Sequence, residues 1–134
     1  MLFRSLLVST IAWSQTDTAF WFAAPDLQGG HGDRPIILRI SSGAQAAQVL
    51  ISQPANPSFT PTSITIPANT SQSVDLTAQI DLIENATINT IDNKGLYIQS
   101  TSTISCYYDI ANTWNGDIWA LKGNNALEIG RAHV

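Results

Sequence analysis

The densest group of chemistry-bearing side chains lies in the loop Asp26-Leu27-Gln28-Gly29-Gly30-His31-Gly32-Asp33-Arg34-Pro35. Asp26, His31 and Asp33 offer two carboxylates and an imidazole, and the interleaved glycines let the backbone come close to an ion. Hard cations prefer oxygen donors, so calcium suits this set better than zinc. The spacing matches no metal motif, and a flexible surface loop is the competing reading. No other cofactor is expected. A second group spans Asp109 to Asp117 and includes Asn112, Trp114, Asn115 and Gly116. Trp among Asn and Asp is similar to sugar-binding loops, where an aromatic face stacks on a pyranose and amides and carboxylates bond its hydroxyls. The alternative is an Asn-Gly turn with Trp114 folded back onto the domain.

Catalytic patterns are missing from the sequence. Cys106 sits in Thr103-Ile104-Ser105-Cys106-Tyr107-Tyr108, where alternation places Ile104, Cys106 and Tyr108 on one strand face, so it reads as a small core hydrophobe. A nucleophilic role would need a neighbouring base, and the only histidine before the last residues is the distant His31. Glu84 is the sole Glu before the last residues, and the acids stand singly rather than in glycosidase-like pairs. The chain contains no G-x-S-x-G, H-E-x-x-H, P-loop or dinucleotide fingerprint. It is expected not to be an enzyme.

The charge balance removes another class. The formal net charge is -4, and between Gln15 and Leu127 the only cations are Arg34, Arg39, Lys94 and Lys122. Nucleic-acid binding needs clustered Lys or Arg to neutralise phosphates, so no nucleic-acid partner is expected. Ser, Thr, Asn and Gln supply the polarity instead, while recurrent Ile, Leu, Val and aromatic residues supply a core.

The ends set the context. Arg4, the apolar run Leu6–Ile11 and the small-x-small site Ala12-Trp13-Ser14 read as a signal peptide, residues 1–14, cleaved between Ser14 and Gln15. A buried first strand or helix is the other reading of that run. It is shorter than the ~20 residues a membrane span needs, and none is expected. At the other end, Glu128-Ile129-Gly130-Arg131-Ala132-His133-Val134 resembles the translation of a short-read sequencing adapter. Residues 128–134 are therefore expected to be a non-native tail on a truncated domain, residues 15–127, with downstream domains of the same chain missing.

Within that domain the elements must be short strands. Phe20-Trp21-Phe22 places Phe20 and Phe22 on one face and Trp21 on the other. Ile36–Ser41 and Gln45–Ser52 read as a hairpin around Ser42-Gly43-Ala44, with Ile36, Leu38, Ile40, Ala47, Val49 and Ile51 inward. Pro54, Pro57 and Pro61 mark a connection. Thr62–Ile66 and Thr70–Leu76 read as a second hairpin around Pro67-Ala68-Asn69, and Thr77–Ile83 fits a short helix or loop. Gly95–Ser100 and Ile104–Ile110 read as two strands around Thr101-Ser102, and Asp117–Leu121 is too short to assign. The pattern predicts an all-β antiparallel sandwich, Ig-like or jelly-roll-like and incomplete at its C-terminus, because no crossover helices are available for a parallel sheet. A missing final strand would leave an unpaired edge.

These segments resemble the N-terminal domain of IgGFc-binding-type proteins as it occurs in bacterial surface proteins. That domain opens with an acidic or Gly residue, then Phe-Trp-x-Ala/Phe-x-Pro, then an x-x-Leu-x-Ile-x-Ser strand. The counterparts here are Asp17, Phe20-Trp21-Phe22-Ala23-Ala24-Pro25, and Ile36-Ile37-Leu38-Arg39-Ile40-Ser41-Ser42. Ile64–Asn69 also fits, as does Asn93-Lys94-Gly95-Leu96-Tyr97-Ile98-Gln99-Ser100 against Asn-x-Gly-Ile-x-Ile-x-Ser. Asp117–Lys122 departs from the family's Asp-x-x-x-Ala-Leu-Pro, with Lys122 where Pro is common. The resemblance implies a non-catalytic adhesion or recognition module of a large, exported, cell-surface protein, meeting an extracellular protein or glycan. A carbohydrate-binding module of a larger secreted enzyme and a structural spacer are the alternatives. Immunoglobulin binding belongs to the family name, and no residue of this chain points to it. The loops Asp26–Arg34 and Asp109–Asp117 are where ligand contact is expected.

Overall fold

The computed structural model describes residues 15–30, 32–87, 89–114 and 116–124. The expected signal peptide and the expected non-native tail lie outside these residues, as do Ser14 and His31; Gln15 is the first residue described. The chain forms β1 (Thr16–Phe22), β2 (Ala24–Pro25), β3 (Ile36–Ser42), β4 (Ala47–Ser52), β5 (Thr62–Ile66) and β6 (Ser71–Asp75). A 3-10 turn (Thr77–Gln79), α1 (Ile80–Ile83), β7 (Glu84–Asn85), β8 (Leu96–Ile110) and β9 (Asp117–Ala120) follow. The fold is all-β, apart from the short helix at Thr77–Ile83. Among the described residues no helix is long and apolar enough to cross a membrane.

Alternation builds the core. Ile36, Leu38 and Ile40 of β3 are fully buried, while Arg39 between them points to solvent. Ala47, Val49 and Ile51 of β4 do the same, and β8 contributes Leu96, Ile98, Ile104, Cys106, Tyr108 and Ile110. Phe20 is buried, and Trp21, on the opposite face of β1, stacks on its cross-strand partner Tyr97 at 4.2 Å. These positions recur at spacing two because successive side chains of an extended chain leave opposite faces.

Among the described residues seven strands share one sheet, with order β5-β4-β8-β3-β6 and with β1 and β9 also on β8. All pairings in it are antiparallel; β2 and β7 form a separate two-residue parallel pair. β3 and β4 do not pair with each other. Instead they run one after the other along the 15 residues of β8, β3 against Ile104–Ile110 and β4 against Tyr97–Ser100. β5 and β6 likewise follow β4 and β3 in reverse. The two expected hairpins, and the expected break at Thr101-Ser102, are thus corrected: each is a single ribbon bending through a corner.

The registers show how the sheet folds over. Between Asp17↔Ile104 and Ala19↔Gln99, two residue steps on β1 face five on β8. Between Ser42↔Ile104 and Val49↔Ser100, four steps on β8 face seven on β3–β4. Around the bend β8 takes three more residues than β1, and β3–β4 three more than β8, whereas between Ser41↔Ser71 and Ala47↔Ile66 six steps on β3–β4 face five on β5–β6; such irregularities are how a sheet turns on itself. The inward positions at the corner are Ser100 and Ser102, whose hydroxyls bond locally: Ser100 Oγ donates to Ser102 O (2.7 Å) and Ser102 Oγ to Ala46 O (3.0 Å). On the outermost ribbon, Asn69 takes φ 55°, a left-handed conformation that Asn tolerates, and its N–H donates to Gly43 O at 2.8 Å. The chain reverses at Gln53–Pro61, where buried Asn56 donates to Gln53 Oε1 at 2.8 Å and Phe59 enters the core. After β9 the chain bridges back to β1 through Phe20↔Gly123, so the sheet nearly closes.

Candidate functional site: a buried carboxylate cluster under two loops

The β2–β7 pair builds the site. Ala24 sits beside Glu84 and Pro25 beside Asn85, with Asn85 Nδ2 donating to Ala24 O at 2.9 Å. Asp26 follows β2 directly. On the other strand, α1 anchors itself with Ile80 and Ile83, so the residue that follows them, Glu84, enters the interior at 2 % exposure. Asp33 is drawn in from the far end of its loop and is fully buried; its Oδ2 accepts the Leu27 N–H at 3.2 Å. One carboxylate oxygen from each of Asp26, Asp33 and Glu84 lies within 4.8 Å of the others.

Tyr108 is buried on β8. Its ring packs on Phe22 (4.8 Å between centroids) and Trp119 (6.0 Å), and no part of the residue reaches solvent. Desolvation, then the negative charges of Glu84 and Asp33, push its phenol well above the usual range. Among the described residues the Tyr108 hydroxyl, Asp33 Oδ1 and Asp26 Oδ1 have no hydrogen-bond partner although they are buried. Buried polar atoms are rarely left so. The Lys94 ammonium donates to the Glu84 main-chain oxygen at 2.8 Å.

The two loops singled out in the sequence meet at Asn112. Its side-chain amide donates to Gly32 O (2.8 Å) and Arg34 O (2.7 Å), and the neighbouring Ala111 N–H reaches Pro35 O at 2.9 Å. The structure thus brings Asp26 and Asp33 together, and adds Glu84 and Tyr108. Asp109, Trp114 and Asp117 are not part of that cluster. Asp109 is an outward residue of β8 that ion-pairs with Arg39, itself 3.4 Å from Ser73 Oγ. Asp117 opens β9, caps the Ile118 N–H at 2.8 Å, and shares a shallow groove with Arg39 and Asp109. Trp114 is 89 % exposed, its N–H held by Asn112 Oδ1 at 2.9 Å, rather than folded back onto the domain.

Glu84 and Tyr108 carried a faint sequence signal. Glu84 follows the apolar Leu82-Ile83, and Tyr108 lies on the inward face with Ile104 and Cys106. What the sequence lacked was the parallel β2–β7 contact that joins Glu84 to Asp26. Cys106 is buried, and burial pushes its thiol up to about 12, which leaves essentially no thiolate near neutral pH. A concavity of about 540 Å³ at the sheet corner is lined by the hydroxyl residues Thr16, Ser41, Ser42 and Thr103 together with Asp17.

No protein-family model matches the chain, and no curated protein does. The crystal structure of Thermotoga maritima 1070 is similar to it at 14% sequence identity and a TM-score of 0.46, covering 79% of this chain and 91% of that one.

Proposed function

We propose that this chain is a non-catalytic recognition module of an exported bacterial surface protein, its curved sheet working as a two-layer sandwich of the IgGFc-binding N-terminal type. One observation supports this most. A scaffold of buried, alternating strands holds two clamped loops, and beside them Leu27, Trp114 and Ile118 stand 46 %, 89 % and 54 % exposed. Apolar side chains offered to solvent on positioned loops are what recognition surfaces are made of. The partner is an extracellular protein or a glycan, and the exposed Trp114 face favours the glycan, which keeps a carbohydrate-binding module of a larger secreted enzyme as the second reading.

The experiment is a screen of the full chain on glycan and extracellular-protein arrays, repeated with Trp114→Ala. The proposal expects at least one saturable ligand, weakened tenfold or more by the substitution. Silence on both arrays would instead assign the domain to a spacer role. Export is tested separately: the secreted product should begin at Gln15, and a mature protein retaining Met1 removes the signal peptide.

A further inference from the structure

We propose that Asp26, Asp33 and Glu84 form a calcium site that pins the Asp26–Arg34 loop to β7. This goes beyond the recognition reading and stands whether or not a glycan or protein ligand is found. Geometry comes first. Calcium holds oxygens at about 2.3–2.6 Å, so two ligands on one ion sit at most about 5 Å apart, and carboxylate oxygens within 4.8 Å of one another fit a single coordination sphere. The donors are all oxygen, which selects a hard cation over zinc or copper.

Burial is the second, independent observation. Among the described residues Asp33 uses one oxygen on the Leu27 N–H and leaves the other unpartnered, while the fully buried Tyr108 hydroxyl also lacks a partner. Three carboxylates gathered in a poorly hydrated place repel one another, and a doubly charged ion relieves that repulsion. Because Asn112 ties the same loop to the Trp114 loop, the ion stiffens both.

The test is titration of the metal-stripped full chain with calcium, read as thermal midpoint, and with terbium, read as emission sensitised by the aromatic rings at the site, Trp119 lying 6.0 Å from Tyr108. The expected result is one saturable terbium signal displaced by calcium, with a midpoint raised by several degrees in millimolar calcium. Asp33→Asn and Glu84→Gln should each weaken binding at least tenfold, and Asp92→Asn, at an exposed position, should not. A wild-type midpoint indifferent to calcium overturns the proposal without any variant. So does a response that survives both substitutions, or one given by magnesium alone.

Discussion

Replacing Leu38 by Ala tests the alternation on which the fold rests. Leu38 is fully buried in β3, with Val74 of β6 and Tyr108 of β8 as its cross-strand partners. Truncation removes three carbons, worth about 0.8 kcal/mol each on burial, and leaves a cavity between strands that cannot close it. The cost should be about 3–4 kcal/mol. For a domain of this size that lowers the thermal midpoint by roughly 10–15 °C. The matched control is Leu50→Ala on β4, where the side chain is 39 % exposed and faces outward; its loss should stay under about 1 kcal/mol. The assay is urea and thermal unfolding followed by circular dichroism at pH 7. Equal losses for the two variants, or a larger loss for Leu50, would refute the assigned faces of β3 and β4.

Other outcomes follow from single residues. Cys106 should not react with a thiol reagent at pH 8 in the native protein and should react at once in denaturant; rapid native labelling would remove it from the core. Because burial raises the Cys106 pKa from 9.0 to about 12, the folded state holds its proton longer than the unfolded one. That contribution to stability is complete below pH 9 and declines as pH rises from 9 towards 12, by up to about 1.4 kcal/mol per unit. Tyr108, shifted in the same direction, adds to the decline above pH 10, so Tyr108→Phe should flatten it in an unfolding series against pH. Gly116→Ala places a Cβ 2.6 Å from the Asn112 carbonyl oxygen and should cost roughly 1–3 kcal/mol, whereas Gly29→Ala, with open space around it, should be neutral in the same melt.

The strands themselves were legible because burial imposes a period of two, and Ile36-x-Leu38-x-Ile40 or Ile104-x-Cys106-x-Tyr108 keeps that period whatever the strand pairs with. The pairing was not legible. Ser42-Gly43-Ala44 and Pro67-Ala68-Asn69 have the composition of tight turns, and a ribbon bending through a corner needs the same small, polar and left-handed residues as one that reverses. Only the register, three extra residues from β1 to β8 and again from β8 to β3–β4, separates the two, and register is a property of pairs of strands. The site was half legible for a similar reason. Asp26 and Asp33 share a loop, so proximity in sequence stood in for proximity in space. Glu84 comes from a distant segment, delivered by a two-residue parallel contact too short to leave a periodic trace. Asp109 and Asp117 have the residue type of a ligand site, yet one pairs with Arg39 and the other caps Ile118.

The central claim is that a sheet folded over at one corner gathers Asp26, Asp33 and Glu84 above Tyr108, beneath the two loops. A crystal structure of the full chain grown in calcium measures this most directly. It should show Ile36, Leu38 and Ile40 enclosed and an ion at about 2.3–2.6 Å from an oxygen of each of the three carboxylates. Carboxylates of Asp33 and Glu84 lying apart in solvent, or β3 paired as a hairpin with β4, would contradict it.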